Sequence, residues 1–311
     1  MTRRRDYRRS LQLPGYWSFT NHVRKTVWQH KRLYLGLIIF YAALTMLFVG
    51  LGSQDAYTQL GTTLHDSSGN LFTGGLGEVG KAGLLLLSTA TGSLNANLSA
   101  VQQVYATILV LLTWLSTVWL LRTIVAGHTP KLRDGLYNSG APIMTTFLVS
   151  LVLIVQLLPI ALAAIGFNAA NATGLLNGGI EEMLFWFVAS LLTILSLYWI
   201  TSTLLALVVV TLPGMYPMKA IKIAGDLIIG RRLRVLLRIL WLGFIIAIVW
   251  AIIMIPIIIF DAWLKGMVPS LQGLPLVPVA LVLISSLTVV WAASYIYLLY
   301  RRIVDDDAAP A

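Results

Sequence analysis

The sequence PGMYPMKAIKIAGDLIIGRRLRVLLR, residues 213–238, lies between two long apolar runs and decides the fold of the chain. On a helical wheel, Lys219, Lys222 and Asp226 fall within about 60° of one another, and the rest of the wheel is apolar. A helix with so narrow a polar face is predicted to lie in the membrane surface, with that face in water. Gly230 is predicted to end this in-plane helix, which we call an elbow, and a membrane-spanning helix follows.

Six cationic side chains surround this elbow at the predicted depth of the lipid headgroups. Each Lys or Arg near an acidic membrane surface contributes about 1 kcal/mol of attraction. The candidate contacts for anionic lipid headgroups are therefore Lys219, Lys222, Arg231, Arg232, Arg234 and Arg238. A second interpretation is topological, because Lys and Arg also keep loops on the cytoplasmic side of a membrane. The two interpretations are compatible, and both stay open.

The composition is that of a protein that crosses the membrane several times. Charged residues make up 11% of the chain, compared with roughly 25% in soluble domains. A helix needs about 20 apolar residues to cross the hydrocarbon core of a bilayer. We predict an all-α fold with six transmembrane helices, near residues 33–52, 101–124, 143–166, 183–212, 239–260 and 277–300.

Basic surface segments precede three of these spans. The arm at residues 1–32 contains a predicted elbow at Trp17–His30, and a third elbow is predicted at His128–Gly140. The apolar stripe of the first elbow is Phe19, Val23, Val27 and Trp28. The membrane domain then covers residues 33–300, and an acidic tail covers 301–311. The spacing of the elbows favours a three-fold repeat of elbow plus helical hairpin, and a bundle without any repeat is the alternative.

Charge fixes the predicted orientation. All Lys and Arg residues except Lys81 and Lys265 fall on the side that holds both termini, so both termini are predicted to be cytoplasmic. We expect a multi-pass protein of the inner (cytoplasmic) membrane. The net charge of +10 is explained by this topology, and no nucleic-acid partner is predicted. In the external loop, residues 53–100, the segment Leu76–Ala90 is predicted to form a short helix that caps the bundle or re-enters its outer mouth.

A family resemblance is carried by a few positions: Pro217, Ala220, Leu227–Gly230, Arg231–Arg232 and the entry segment Ser18–Leu35. In these positions the chain resembles the bacterial six-span membrane domains that are fused to some glycerophosphodiester phosphodiesterases, and their stand-alone relatives of unknown function. The resemblance implies a six-span architecture in a bacterial membrane. The phosphodiesterase activity of the fused members belongs to a soluble barrel domain, so the resemblance implies no catalytic residue here.

The residue types needed for catalysis or ion coupling are missing from the predicted span interiors. Those interiors contain no Asp, Glu, Lys, Arg or His, whereas proton-coupled transporters usually place such groups within their spans. Charge occurs only at span ends, at Arg122, Asp261 and the Glu181–Glu182 pair. The chain has no cysteine and no metal or nucleotide motif, so no cofactor is predicted. Gln156, near Pro159, is the candidate intramembrane polar site, with a structural kink as the alternative.

These observations predict a non-enzymatic integral membrane protein that acts as a scaffold or accessory subunit. The alternative is a permease or lipid-handling component for an apolar or amphiphilic substrate, which would need no buried charge. The predicted partners are the lipid bilayer, including anionic lipids, and another membrane protein or a second copy of the chain.

Overall fold

A computed structural model describes residues 14–50, 98–173, 175, 178–268 and 273–308. The predicted helix at Leu76–Ala90 and most of the predicted external loop lie outside these residues. So does the first part of the basic arm.

The described residues form nine helices and no strand. They are α1 (Tyr16–Gln29), α2 (Lys31–Phe48), α3 (Ala100–Val125), α4 (Leu132–Asn138), α5 (Ile143–Ala172), α6 (Ile180–Val209), α7 (Pro217–Leu227), α8 (Arg232–Met267) and α9 (Leu276–Ala308). Six of them, α2, α3, α5, α6, α8 and α9, are long and apolar enough to cross a membrane. The prediction of an all-α fold with six spanning helices is confirmed. The three-fold repeat stays a prediction.

Three helices, α5, α8 and α9, extend six or more residues beyond a predicted bound. Helix α8 has 36 residues and begins at Arg232, so the predicted basic hinge supplies its first two turns. At 1.5 Å per residue it is about 54 Å long, well beyond a hydrocarbon core of about 30 Å. Helix α9 continues through the predicted acidic tail as far as Ala308. Residues 301–308 of the predicted tail are therefore a helical extension of the last span, and the tail as a segment separate from the membrane domain stays a prediction.

Each of the three predicted elbows contains a helix that packs at one end of the bundle, and their position in the membrane surface stays a prediction. Helix α1 is separated from α2 by His30 alone, α4 connects α3 to α5, and α7 connects α6 to α8. Consecutive spans run in opposite directions, so all three elbows and the last turns of α9 share one end. We call it the elbow end, and the other is the opposite end.

The main hydrophobic core lies in the half of the bundle next to the elbow end. It joins α1 to the starts of α2 and α8 and to the final turns of α3, α6 and α9. Among its fully buried side chains are Phe19, Tyr34, Leu120, Leu205, Tyr295 and Leu299. The elbow helices are thus part of the protein core, and they are not appended to it.

The bundle is more open towards the opposite end. There a smaller cluster joins Trp250, Met254 and Ile258 of α8 to Val277 and Leu281 of α9. The hairpin of α5 and α6 stands apart from this cluster. Every described side chain of residues 151–167 and 180–195 is exposed or half-buried in the isolated chain. This half of the hairpin therefore presents apolar side chains outwards, as a surface bathed in lipid would.

Candidate functional site at the elbow end

The elbow helix α7 has the polar face that its sequence predicts. Pro217 occupies the first helical turn, where its missing N–H and fixed φ are tolerated. The helix ends at Leu227, and Gly230 follows with φ of +76°, a conformation that strongly favours glycine. The side chains of Lys219, Lys222 and Asp226 are exposed.

The apolar face of an in-plane helix is expected to enter the acyl chains of the membrane, but the apolar face of α7 contacts protein instead. Ala220, Ala224 and Ile228 are fully buried and join the main core, where α7 packs on α6 and α5. Ala224 and Ile228 are thus unavailable to the acyl chains of the membrane, and Ile221 is half-buried. The small side chains at 220 and 224 allow the close approach of α7 to the spans.

The residues predicted to contact lipid headgroups differ in how exposed their side chains are. Lys219, Lys222 and Arg234 are exposed, and Arg232 is half-buried. The guanidinium carbon of Arg232 lies 3.9 Å from the ring centroid of Tyr198 on α6, a cation–π contact that holds the start of α8 against the bundle. Arg231 is half-buried at the N-cap of α8. The exposed cations stay candidates for lipid contact.

Arg238 has a different environment, and its prediction as a headgroup contact is corrected. Its side chain is 5% exposed, and its Nη2 donates a hydrogen bond to the backbone carbonyl of Pro14. Its guanidinium carbon also lies 5.2 Å from the ring centroid of Tyr16 and 5.3 Å from that of Phe19. Arg238 therefore binds the N-terminal elbow to α8.

Further contacts fix helix α1 on the spans. Phe19 packs edge-on against Tyr295 of α9 with ring centroids 4.9 Å apart. The indole Nε1 of Trp241 donates a hydrogen bond of 3.1 Å to the Thr20 hydroxyl. Val23 is fully buried, as expected for a residue of the predicted apolar stripe of the first elbow. Trp28, which the same stripe included, is 68% exposed and lies beside the Lys31 ammonium instead.

Gln156 is used in helix packing. Its side-chain carbonyl accepts a hydrogen bond of 2.6 Å from the Thr203 hydroxyl of α6. Thr203 is fully buried, and helix α5 continues through Pro159. The predicted intramembrane polar site is thus a bond between two neighbouring spans, the kind of contact that small polar residues commonly make in membranes.

A chain of three hydroxyl groups, which sequence reasoning missed, crosses the core. Tyr41 of α2 is hydrogen-bonded to Ser116 of α3 at 2.8 Å, and Ser116 to Ser139 at 2.9 Å. Ser116 and Ser139 are buried almost completely. The chain ties α2 and α3 to the connection between α4 and α5. No sequence spacing reveals it, because the three residues come from three separate segments.

A cavity of about 370 Å³ lies at the elbow end next to this hydroxyl chain. Its walls are the last turns of α3, the α4–α5 connection and the α6–α7 connection. The side chain of Arg122 lines it and donates a hydrogen bond of 3.1 Å to the carbonyl oxygen of Thr211. The sequence analysis identified Arg122 only as a charge at the end of a span. It did not predict that Arg122 lines a cavity.

Charge at the opposite end is partly buried. Asp261, predicted at the end of a span, lies within α8 and is 2% exposed. One of its carboxylate oxygens accepts a hydrogen bond of 2.8 Å from Lys265, one turn later. Among the residues that the structure describes, no three His, Asp or Glu side chains come close enough to share a metal ion.

Comparisons with protein-family models, with curated proteins and with solved structures find no match for the chain. The resemblance of residues 216–238 to the six-span domains named above therefore stays a prediction. The structure itself establishes a helical protein with six candidate spans, and its role has to be argued from the arrangement of its side chains.

Proposed function

We propose that the chain is a non-enzymatic integral membrane protein, a scaffold or accessory subunit whose elbow end faces the cytoplasm of a bacterial cell. The observation that supports this proposal is that two pairs of polar side chains in the spans bond across neighbouring helices. Gln156 and Thr203 bond to each other, as do Tyr41 and Ser116. Polar groups that hold helices together are not free to line a path or to carry out chemistry.

The outer face of the α5–α6 hairpin is the surface that such a scaffold would offer inside the membrane. Leu158 on α5 and Ile194 on α6 are 52% and 63% exposed. Phe167, Phe185 and Trp186 form an aromatic cluster at the opposite end of the same hairpin. We propose that an apolar transmembrane helix of a partner protein packs along this face.

Site-specific photo-crosslinking in native membranes tests the proposal. A photoreactive phenylalanine at Leu158 or at Ile194 is expected to give one discrete protein adduct of the same mass from both positions. Ile252 and Phe244 are matched controls, because they are 65% and 55% exposed but lie on another helix, α8. The proposal fails if neither hairpin position gives a protein adduct, or if the α8 positions give the same adduct.

A further inference from the structure

The cavity at the elbow end has the size of a ligand site. Its volume of about 370 Å³ falls within the range of roughly 300–1,000 Å³ that is typical of small-molecule sites. Residues from three separate parts of the chain line it: Leu115, Trp119 and Arg122, then Asn138 to Thr145, then Val210 to Met215. It therefore lies between the elbow ends of three spans, α3, α5 and α6.

Arg122 gives the cavity a positive charge. A guanidinium has five N–H donors, and Arg122 uses one of them on the Thr211 carbonyl. Within the described parts of the chain, Arg122 has no carboxylate partner. Pro142 and Thr145, at the start of the 30-residue helix α5, line the same cavity, and a helix N-terminus favours an anion.

The end of α6 weakens the positive electrostatic potential in the cavity without reversing its sign. The carbonyl end of α6 also faces the cavity, through Val210 and Thr211. A helix end carries about half an elementary charge, so the ends of α5 and α6 roughly offset each other. The full charge of Arg122 then remains, and an oxyanion is the group that it would bind best.

The deeper wall of the cavity is apolar. Leu115 lies seven residues before Arg122 on α3, about 10 Å further from the elbow end. Trp119 lies between these two residues on α3 and also lines the cavity. A ligand with one charged end and one apolar end would match both parts, with its charged end at Arg122.

We propose that this cavity binds an amphiphile with an oxyanion head, a phosphate or a carboxylate, whose head contacts the guanidinium of Arg122. The binding site goes beyond the scaffold function and does not depend on it. A membrane lipid and a soluble phosphate compound share this head chemistry, and the experiment has to separate the two sources.

Native mass spectrometry of the delipidated protein tests the site, with phosphatidylglycerol, phosphatidylcholine and inorganic phosphate as the added ligands. We expect one phosphatidylglycerol to be retained in preference to phosphatidylcholine. Arg122→Gln should weaken that retention on the order of tenfold, because a charge-assisted hydrogen bond is lost. The shorter glutamine also loses the hydrogen bond to the Thr211 carbonyl, so a melting temperature close to that of the parent protein has to show that the fold is kept. Thr145→Phe should also weaken retention, by filling the cavity with no change of charge.

Lys25→Gln is the matched control, because it removes an exposed cation that lies outside the cavity and outside the candidate headgroup contacts. The proposal is overturned if Lys25→Gln weakens retention as much as Arg122→Gln does, which would mean general surface attraction. It is also overturned if neither cavity variant changes retention, which would mean a water-filled space. Inorganic phosphate that binds alone and displaces the lipid would support the oxyanion site and indicate a soluble ligand. Retention of the lipid alone would support a membrane ligand.

Discussion

Replacing Arg238 with glutamate is expected to release helix α1 from the spans. The change removes the hydrogen bond to the Pro14 carbonyl and the contacts with the rings of Tyr16 and Phe19. A charged hydrogen bond contributes about 1.5–3 kcal/mol, and a desolvated cation–π contact about 2 kcal/mol. The new carboxylate would also face a carbonyl oxygen and the negative faces of two rings. The lost contacts and the new electrostatic repulsion both disfavour docking of α1 on the spans.

Labelling of a single cysteine at Val23 measures this release, and the chain has no native cysteine to interfere. Val23 is fully buried in the docked state, so its labelling rate should rise at least about tenfold in Arg238→Glu, since tenfold corresponds to only about 1.4 kcal/mol. Arg234→Glu is the control, with the same change of charge one turn earlier at an exposed position. An unchanged rate in Arg238→Glu, or the same rise in Arg234→Glu, would refute the role of Arg238.

Gly135→Ala is expected to destabilise the protein, although alanine is the better helix former. A β-carbon at Gly135 would lie 2.7 Å from two side-chain carbons of Leu120, and Leu120 is fully buried. Overpacking of this kind costs about 1–3 kcal/mol, and the gain in helix propensity is at most about 1 kcal/mol. The cost of steric overlap therefore exceeds the gain in helix propensity, and we expect helix α4 to move away from α3.

Gly225→Ala is the matched substitution on elbow helix α7. No atom lies within 4 Å of a β-carbon at Gly225, so only the helix-propensity gain of up to about 1 kcal/mol remains. Melting temperatures of the two variants in the same detergent should shift in opposite directions from that of the parent protein. Shifts of the same sign would show that the contact between α4 and α3 is looser than described.

The sequence predicts those parts of the fold that the membrane and the surrounding water impose on the chain. The bilayer requires long apolar runs, and these predict all six spans. The period of 3.6 residues places Lys219, Lys222 and Asp226 on one face, and the structure leaves them exposed. The ends of the helices were less predictable. Arginine is a good helix former, so the arginine-rich segment before residue 239 joins helix α8 and does not delay its start. Likewise, nothing breaks α9 before Pro310.

The parts that the sequence does not predict depend on contacts between distant segments. Arg238 shares a helical face with the buried residues Val235, Leu242 and Ile245, and that spacing is a signal for its burial. Its hydrogen-bond partner, the carbonyl of Pro14, belongs to the first elbow and has no such signal. Arg122 and Thr211 likewise meet only in the folded bundle. The burial of Arg238 could be predicted from its spacing, and the bonding partners of Arg238 and Arg122 could not.

Single cysteines labelled from either side of the membrane test the central claim most directly, which is that all three elbows share one side and that this side is the cytoplasm. Suitable exposed positions are Lys25 on α1, Arg133 on α4, Lys222 on α7 and Ile180 at the opposite end. A membrane-impermeant maleimide should label the three elbow positions in inside-out vesicles, and Ile180 in right-side-out vesicles. Labelling of any elbow position from the same side as Ile180 would contradict the account.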